Sequence, residues 1–554
     1  MDSRQELADL IFPNIKETIE DLEKRFPERN LVEGAKVTRF APSPTGFLHT
    51  GSLFTSMIAS KIAYDTKGVF YTRLEDTDTK REIEGSDKLL LRQLKEFDIV
   101  PNEGYFGDYE EGIYGPYVQS KRKEIYETVI KELVARGDAY PCFLNEEDLA
   151  KLREKQTANK EITGVYGKYA IYRDLDPQEA IKMIKEGKSF VIRFKSNGNH
   201  LNKIKAHDEI RGDLLLTEND QDVVILKGDG LPTYHFAHVV DDHFMHTNLV
   251  TRGEEWLPSL PIHIEMFRRL GFKLPKYAHL PVIMKLDNGN KRKLSKRKDP
   301  EASVDFFLKE GYEPKALLVY LMTIANSNYE DFIVQSKDYD LTHFKFQLKK
   351  MSLDGALFDN DKLNFYSKEI LGKMTKEEIG KKSYEWAKKY SPELKEFIEK
   401  DYNRYLEILN IEREKKNPRK DYAKYSDIYP IIAFFDHDTF FNKIKKEAYN
   451  EKISKETIVS FLTKYLNNYA LDNDENTWFS NVKAISSEVG FCADNKLYKQ
   501  DPSKWAGNVN DACEILRVVL VGRKVTPNLF SIMKILGSEE VTSRIELSLS
   551  ELNK

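Results

Sequence analysis

Arg39-Phe40-Ala41-Pro42-Ser43-Pro44-Thr45-Gly46-Phe47-Leu48-His49-Thr50-Gly51-Ser52 decides more about the fold than any other stretch of this 554-residue chain. A short apolar strand, Val37 to Phe40, runs into a turn punctuated by proline and glycine. The turn delivers His49 and Gly51 to the start of an amphipathic helix carrying Leu53, Phe54, Met57, Ile58 and Ile62. Gly68 stops that helix, and Val69-Phe70-Tyr71-Thr72-Arg73-Leu74 reads as a second strand, so residues 37–75 form a βαβ unit. A helix start carries unpaired N–H groups and partial positive charge, which suits it to holding phosphate. Gly51 admits a nucleotide close to the backbone, and His49 can donate a hydrogen bond to a phosphate oxygen. A histidine before a glycine is by itself usually without a role. What gives this one meaning is its context and a second segment far down the chain.

That second segment is Lys291-Arg292-Lys293-Leu294-Ser295-Lys296-Arg297-Lys298, with six basic residues in eight. Alone, such a run is most often a solvated face or a nucleic-acid patch. Beside the His49 turn it reads as the other half of a nucleotide site. When a carboxylate attacks the α-phosphate of ATP, charge builds on the phosphoryl oxygens as pyrophosphate leaves, and positioned ammonium groups stabilise that state.

The first segment resembles the H-I-G-H signature, and Lys293-Leu294-Ser295-Lys296-Arg297 the K-M-S-K-S signature, of class I aminoacyl-tRNA synthetases. The context R-F-A-P-S-P-T-G, with R-L-E-D-T-D and T-R-G-E-E-W, resembles the glutamyl-tRNA synthetases, where a glutaminyl enzyme reads P-P-E-P-N-G. The likeness is strongest over 37–120 and 208–310, and it continues through Pro527 to Gly537. It implies an α/β fold: a Rossmann-type parallel-sheet catalytic domain, an inserted acceptor-binding domain, and an all-α anticodon-binding region. The segments expected are an N-terminal helical extension (1–36), two catalytic halves (37–117 and 208–300) around the insertion (118–207), a stem-contact helical domain (301–375) and the anticodon-binding domain (376–554).

The resemblance also implies site residues. His49, Lys293 and Lys296 would be catalytic, and Pro44, Thr45, Gly46, Gly51, Ser52, Glu255, Leu294, Ser295 and Arg297 would join them around ATP. The amino-acid pocket can be argued from charge as well. Free glutamate has a γ-carboxylate to be recognised, and arginine's planar fork suits that task. Arg39 and Arg252, each at the end of a strand, would face a crevice at the carboxyl ends of the sheet. Glu75 is placed to bind the substrate ammonium. In the family, the positions of Arg39, Arg252 and Tyr234 read the γ-carboxylate, those of Ala41, Ser43 and Glu75 hold the α-amino group, and that of Trp256 lines the pocket. Two positions depart from the pattern. Ser52 stands where the signature's last histidine falls, and His238 stands where an Asn would help bind the α-carboxylate; an imidazole can still donate one hydrogen bond there.

Composition bounds the rest. Apolar residues make up 40% and charged ones 32%, with a net charge of −4, so RNA contact must come from local basic patches. Three scattered cysteines (Cys142, Cys492, Cys513) suggest neither a disulfide framework nor a zinc ribbon, so no structural zinc or other metal is expected beyond the Mg2+ that accompanies ATP. The N-terminus has no signal-peptide core, and the longest apolar stretch, near Ala316 to Ala325, is short of a membrane span. A cytoplasmic monomer is expected. Its substrates would be L-glutamate, ATP and tRNA(Glu), with tRNA(Gln) open as a second acceptor.

Several features keep two readings at this point. Asp76 and Asp78 either cap the following helix or handle substrate. His235, His238, His243 and His246 read as a strand-to-turn segment, which would not place them on one face for a metal. The run Arg413 to Lys420 is either a solvated loop or an RNA backbone contact. A nucleotidylyltransferase of the same superfamily and a non-catalytic RNA-binding relative are the alternative functions. The long helical C-terminus weighs against the first, and intact His49, Lys293, Lys296 and Glu75 against the second.

Overall fold

Pro13 ends the first helix as its ring geometry dictates: α1 (Ser3–Ile11) stops before it. The next helix, α2 (Ile19–Arg25), starts behind a reciprocal cap in which Thr18 and Asp21 each accept the other's backbone N–H. This computed structural model describes residues 3–78, 80–295, 297–353, 355–468 and 474–554. They divide into two compact units, Met1–Phe307 with Leu317–Asn360, and Leu308–Ala316 with Asp361–Lys554.

The first unit is built on β1 (Val37–Phe40), α3 (Thr50–Asp65) and β2 (Val69–Thr72). The two strands pair in parallel, Val37 opposite Val69 and Phe40 opposite Thr72, as the βαβ reading requires. All four residues of β1 are buried, which fits a sheet covered on both faces. After α4 (Ser86–Glu96), β3 (Glu103–Tyr105) adds in parallel to β2, and β4 (Glu110–Glu111) closes that sheet antiparallel. Gly104, at φ +122°, lies against Thr72, where a Cβ would meet the Thr72 carbonyl oxygen at 2.3 Å. Only glycine lets that edge close.

The insertion holds α5 (Lys123–Arg136), β5 (Ala139–Cys142), α6 (Glu146–Ala158), α7 (Pro177–Lys185) and β6 (Val191–Phe194). Its sheet does not stop at residue 207. Past the hairpin of β7 (Lys203–Asp208) and β8 (Gly212–Thr217), β9 (Val224–Leu226) returns to pair with β6.

The chain then forms α8 (Tyr234–Phe244), β10 (Leu249–Gly253), α9 (Leu260–Leu270) and β11 (Lys276–Leu280). Segment α8 corrects the strand-to-turn expectation. Phe236, Ala237, Val239, Val240 and Phe244 bury one broad face, and this helical spacing outweighs the polar residues between them. Strands β10 and β11 are parallel, and Asn248 stitches β10 to β1, its backbone N–H donating to the Val37 carbonyl and its side chain accepting the Val37 N–H. A final antiparallel pair, β12 (Ile283–Asp287) and β13 (Asn290–Lys293), carries the basic segment.

In the second unit the helices Val509–Val521, Leu529–Leu536 and Ser538–Asn553 end the chain. Gly522, at φ +82°, stops the first, and both of the first two pack against the third. Residues 491–492 and 507–508 pair as a short parallel bridge in a region expected to be helical throughout. Arg413 is not the solvated residue that the surrounding run suggests. It is 9% exposed and donates to the carbonyls of Leu409, Leu371 and Met374, satisfying the ends of two helices.

Candidate active site

The histidine turn is joined by hydrogen bonds to the chain that follows the basic segment, far away in sequence. Thr50 Oγ1 donates to the Glu301 carbonyl at 2.6 Å, and the Val304 N–H donates to the Leu48 carbonyl at 3.1 Å. On the other side of the histidine turn, the Leu48 N–H donates to Gln93 Oε1. The turn is therefore fixed on both flanks, and the chain leaving the basic loop packs against it.

His49 is the N-cap of α3. Its Nδ1 accepts the Gly51 N–H at 2.9 Å, so the proton of the neutral ring sits on Nε2, the atom able to donate to a phosphate oxygen. A Cβ on Gly51 would lie 3.2 Å from that Nδ1, so the glycine also makes room for the imidazole.

His49, Gly51 and Ser52 share one cavity of about 1240 Å3 with Lys293 and Leu294. Arg39, Ala41, Ser43, Thr45, Glu75, Tyr234, Arg252, Glu255 and Trp256 line the same space. Pro44, Gly46, Ser295 and Arg297 do not. Pro44 accepts the Ile83 N–H, and Gly46 turns the chain at φ +124°. The Ser295 N–H donates to Asp299, whose carboxyl the bidentate Arg292 holds well below the usual carboxylate range. Lys296 lies outside the described residues. Lys293 is paired with Glu255 at 3.1 Å, both side chains about half exposed, so the ammonium already reaches into the crevice.

His238 does not line the cavity. It is fully buried behind Arg39, its Nδ1 2.9 Å from Asp242 and its Nε2 3.1 Å from the Tyr277 hydroxyl. Burial pushes its pKa down to about 3, so it is neutral near pH 7 and donates to Asp242 through Nδ1. A direct contact with the substrate carboxylate, expected from its place in the sequence, gives way to a contact with the back of Arg39.

Arg39 itself belongs to a buried ionic cluster. Its Nε bonds both oxygens of Asp242 at 3.1 and 3.2 Å, and Arg73 takes the same carboxylate at 2.7 Å. Arg73 reaches on to Glu75 at 3.1 Å, while Arg122, Gln119 and Tyr126 hold Asp241. Despite its burial, Asp242 has a pKa held well below its usual value by Arg39 and Arg73. Burial raises that of Glu75 against the pull of Arg73 and Arg39. Arg252 is held differently: Nε donates to His279 at 3.0 Å, Nη1 to His263 at 3.1 Å and Nη2 to the Trp256 carbonyl at 3.3 Å. Tyr234 packs against Trp256 with ring centroids 4.4 Å apart and planes tilted by 38°, forming an aromatic wall beside both guanidinium groups.

Asp76 and Asp78 do not cap α4, whose N-cap is Gly85. Asp76 accepts from the backbone and hydroxyl of Ser120, and Asp78 pairs with Arg81 on the cavity rim. Sequence reading missed Arg73, Asp242, His263 and His279. The acidic doublet Asp241-Asp242, set among Val239, Val240 and Phe244, was a usable signal, because buried carboxylates demand cationic partners.

The second unit has a separate cavity of about 420 Å3, where Arg419, Arg517 and Asn528 sit among Trp478, Phe479 and Phe530.

Comparisons with known proteins give the family of the chain. The model of the tRNA synthetases class I (E and Q) catalytic domain matches residues 36–365, and that of an anticodon binding domain matches 508–549. The chain is 45% identical over 545 residues to a glutamate–tRNA ligase of Clostridium perfringens, covering 98% of this chain and 100% of that one. It is also 45% identical to one of Acetivibrio thermocellus, over 98% and 99%. A crystal structure of a glutamate–tRNA ligase from Elizabethkingia meningosepticum, in complex with its amino acid, superposes with a TM-score of 0.75 at 27% identity. That match covers 93% of this chain and 99% of that one.

Proposed function

The chain belongs to the class I tRNA synthetases, and within them to the glutamate–tRNA ligases, and we propose that the crevice of its first unit is where glutamate is activated and transferred. The observation that carries this reading is a single cavity bearing His49, Lys293, Glu75, Arg39 and Arg252. A glutamate α-carboxylate oxygen attacks the α-phosphorus of Mg-ATP in line, forming glutamyl-adenylate as the bond to pyrophosphate breaks. His49 Nε2 and the Lys293 ammonium stabilise charge on the phosphoryl oxygens, Lys296 assists from the same loop, and Gly51 admits the adenine. Glu75, with Ala41 and Ser43, holds the substrate ammonium, while Arg39, Arg252 and Tyr234 read the γ-carboxylate. A hydroxyl of the terminal tRNA ribose then attacks the adenylate carbonyl, and AMP leaves.

The insertion at 118–207 is assigned to the tRNA acceptor end, 301–375 to the stem and 376–554 to the anticodon. The arginine-and-aromatic cavity of the second unit suits an unstacked anticodon base, which can stack on a ring while a guanidinium bonds its edge. The enzyme is read as a cytoplasmic monomer without structural zinc. Side-by-side aminoacylation of tRNA(Glu) and tRNA(Gln) tests the acceptor assignment, with tRNA(Glu) expected to be charged. Pyrophosphate exchange with glutamate is expected to require tRNA, and robust exchange without it would contradict that part of the mechanism.

A further inference from the structure

Resting on the reading of Arg252 as a γ-carboxylate partner, we propose that His263, backed by His235 and His279, is a positioning residue that holds the Arg252 guanidinium through neutral acceptors and so leaves its positive charge for the substrate.

Hydrogen-bond direction fixes the arrangement. A guanidinium can only donate, so His263 Nδ1 accepts from Arg252 Nη1 at 3.1 Å, and the proton of the neutral His263 ring lies on Nε2. That proton is donated to His235 Nδ1, 3.0 Å away. On the other side, His279 Nε2 accepts from Arg252 Nε at 3.0 Å, and His279 Nδ1 donates to Asp208 at 2.7 Å. Asp208 is also occupied by the backbone N–H groups of Ile210, Arg211 and His279. Every bond therefore runs outward from Arg252, and among the described residues none of its partners is a carboxylate. The Tyr277 ring, 5.0 Å from the guanidinium carbon, adds attraction without net charge. His263 and His279 are fully buried, and burial pushes the pKa values of His263, His235 and His279 down, which keeps the rings neutral.

A carboxylate in the place of His263 would hold Arg252 at least as firmly, but it would compete with the substrate for the same charge. The near-isosteric pair H263N and H263D separates these effects, because Asn Oδ1 keeps a neutral acceptor near the position of Nδ1. The readouts are KM for L-glutamate, KM for ATP and kcat in aminoacylation, with melting temperature as the check on folding. H263N should raise the glutamate KM about 3-fold and H263D about 30-fold, with ATP KM within about 2-fold in both, as expected when a charge-assisted bond to substrate is lost. H263D should also narrow the preference for glutamate over glutamine by about 10-fold, since the uncharged amide loses less. Equal effects of the two variants, or a fall in kcat with glutamate KM unchanged, would overturn the proposal. If H263D does not fold, H263L replaces it: without an acceptor it should raise the glutamate KM about 10-fold, and a value matching H263N would overturn the proposal equally. R252A distinguishes the two levels of argument. A normal glutamate KM in R252A refutes the acid-pocket reading and this inference with it, whereas a raised one beside an inert H263D refutes the inference alone.

Discussion

Arg39 and Arg252 face the same crevice from neighbouring strands, yet their surroundings are opposites. Arg39 is clamped by Asp242 inside a cluster of three arginines and three carboxylates whose charges cancel, with neutral His238 at its back. Arg252 is held by imidazoles, a carbonyl oxygen and the Tyr234 hydroxyl. The first arrangement fixes geometry and stability at the expense of free charge. The second keeps charge available and relies on buried neutral acceptors to fix position. Two arginines of equal rank in the sequence thus face one cavity in different settings: Arg39 is also part of the buried ionic frame, whereas Arg252 is held without a carboxylate.

The largest effect should come from removing the frame's shared anion. D242N leaves Arg39 and Arg73 buried without their carboxylate and should cost about 3–5 kcal/mol of stability, measured by denaturant unfolding. The sign with pH follows from the lowered Asp242 pKa. Its contribution is fully present above the ordinary carboxyl pKa of 3.8 and is lost only as pH falls through the depressed native value, so D242N should shallow the acid limb of the stability curve. A stability close to wild type would erase the contrast between the two arginines.

Next in size, K293A should slow adenylate formation by about 2–4 kcal/mol of lost barrier stabilisation, read as kcat in aminoacylation with little change in glutamate KM. A smaller effect is expected in R517A, which should weaken tRNA binding by about 1–3 kcal/mol while glutamate and ATP constants stay put. Glu75 gives a pH test of the crevice. Burial raises its pKa, so it protonates earlier than an ordinary carboxyl as pH falls, and the glutamate KM should climb from above the usual carboxylate range. A KM flat across that range would remove Glu75 from ammonium binding. The smallest effect belongs to E255Q, which frees Lys293 from a half-exposed pair worth about 0–1 kcal/mol and should shift ATP KM only slightly.

The sheet order near β1 and β2 was legible because apolar runs, a helix stop and a Gly/Pro turn all agree over residues 37–75. The crevice wall was legible for the same reason, since its residues sit at strand ends and helix starts that local pattern can locate. The second ring of partners was not. Asp242, His263 and His279 act through contacts that depend on how α8, α9 and β11 pack, and no spacing in the chain encodes those distances. The histidines of α8 misled because a polar residue every few positions breaks the look of an apolar helix, although His238 and His243 are engaged with Asp242 and Glu23, and His246, just past the helix, with the Phe26 carbonyl. Arg413 misled in the opposite way, as a buried helix-end donor inside a run whose lysines look solvated.

The bonds from Thr50 to Glu301 and from Val304 to Leu48 have a consequence for protein engineering. The basic loop is anchored upstream by the β12–β13 hairpin and downstream by the histidine turn, and Asp299 ties its end back to Ser295 and Arg292. Inserting even one residue between Lys298 and Val304 should throw the lysines out of register with His49, whereas lengthening the exposed tip at Asp287 to Asn290 should be tolerated. The machinery's reach is set by a few fastened residues, so the spacing after the loop is as much a part of the active site as the loop itself.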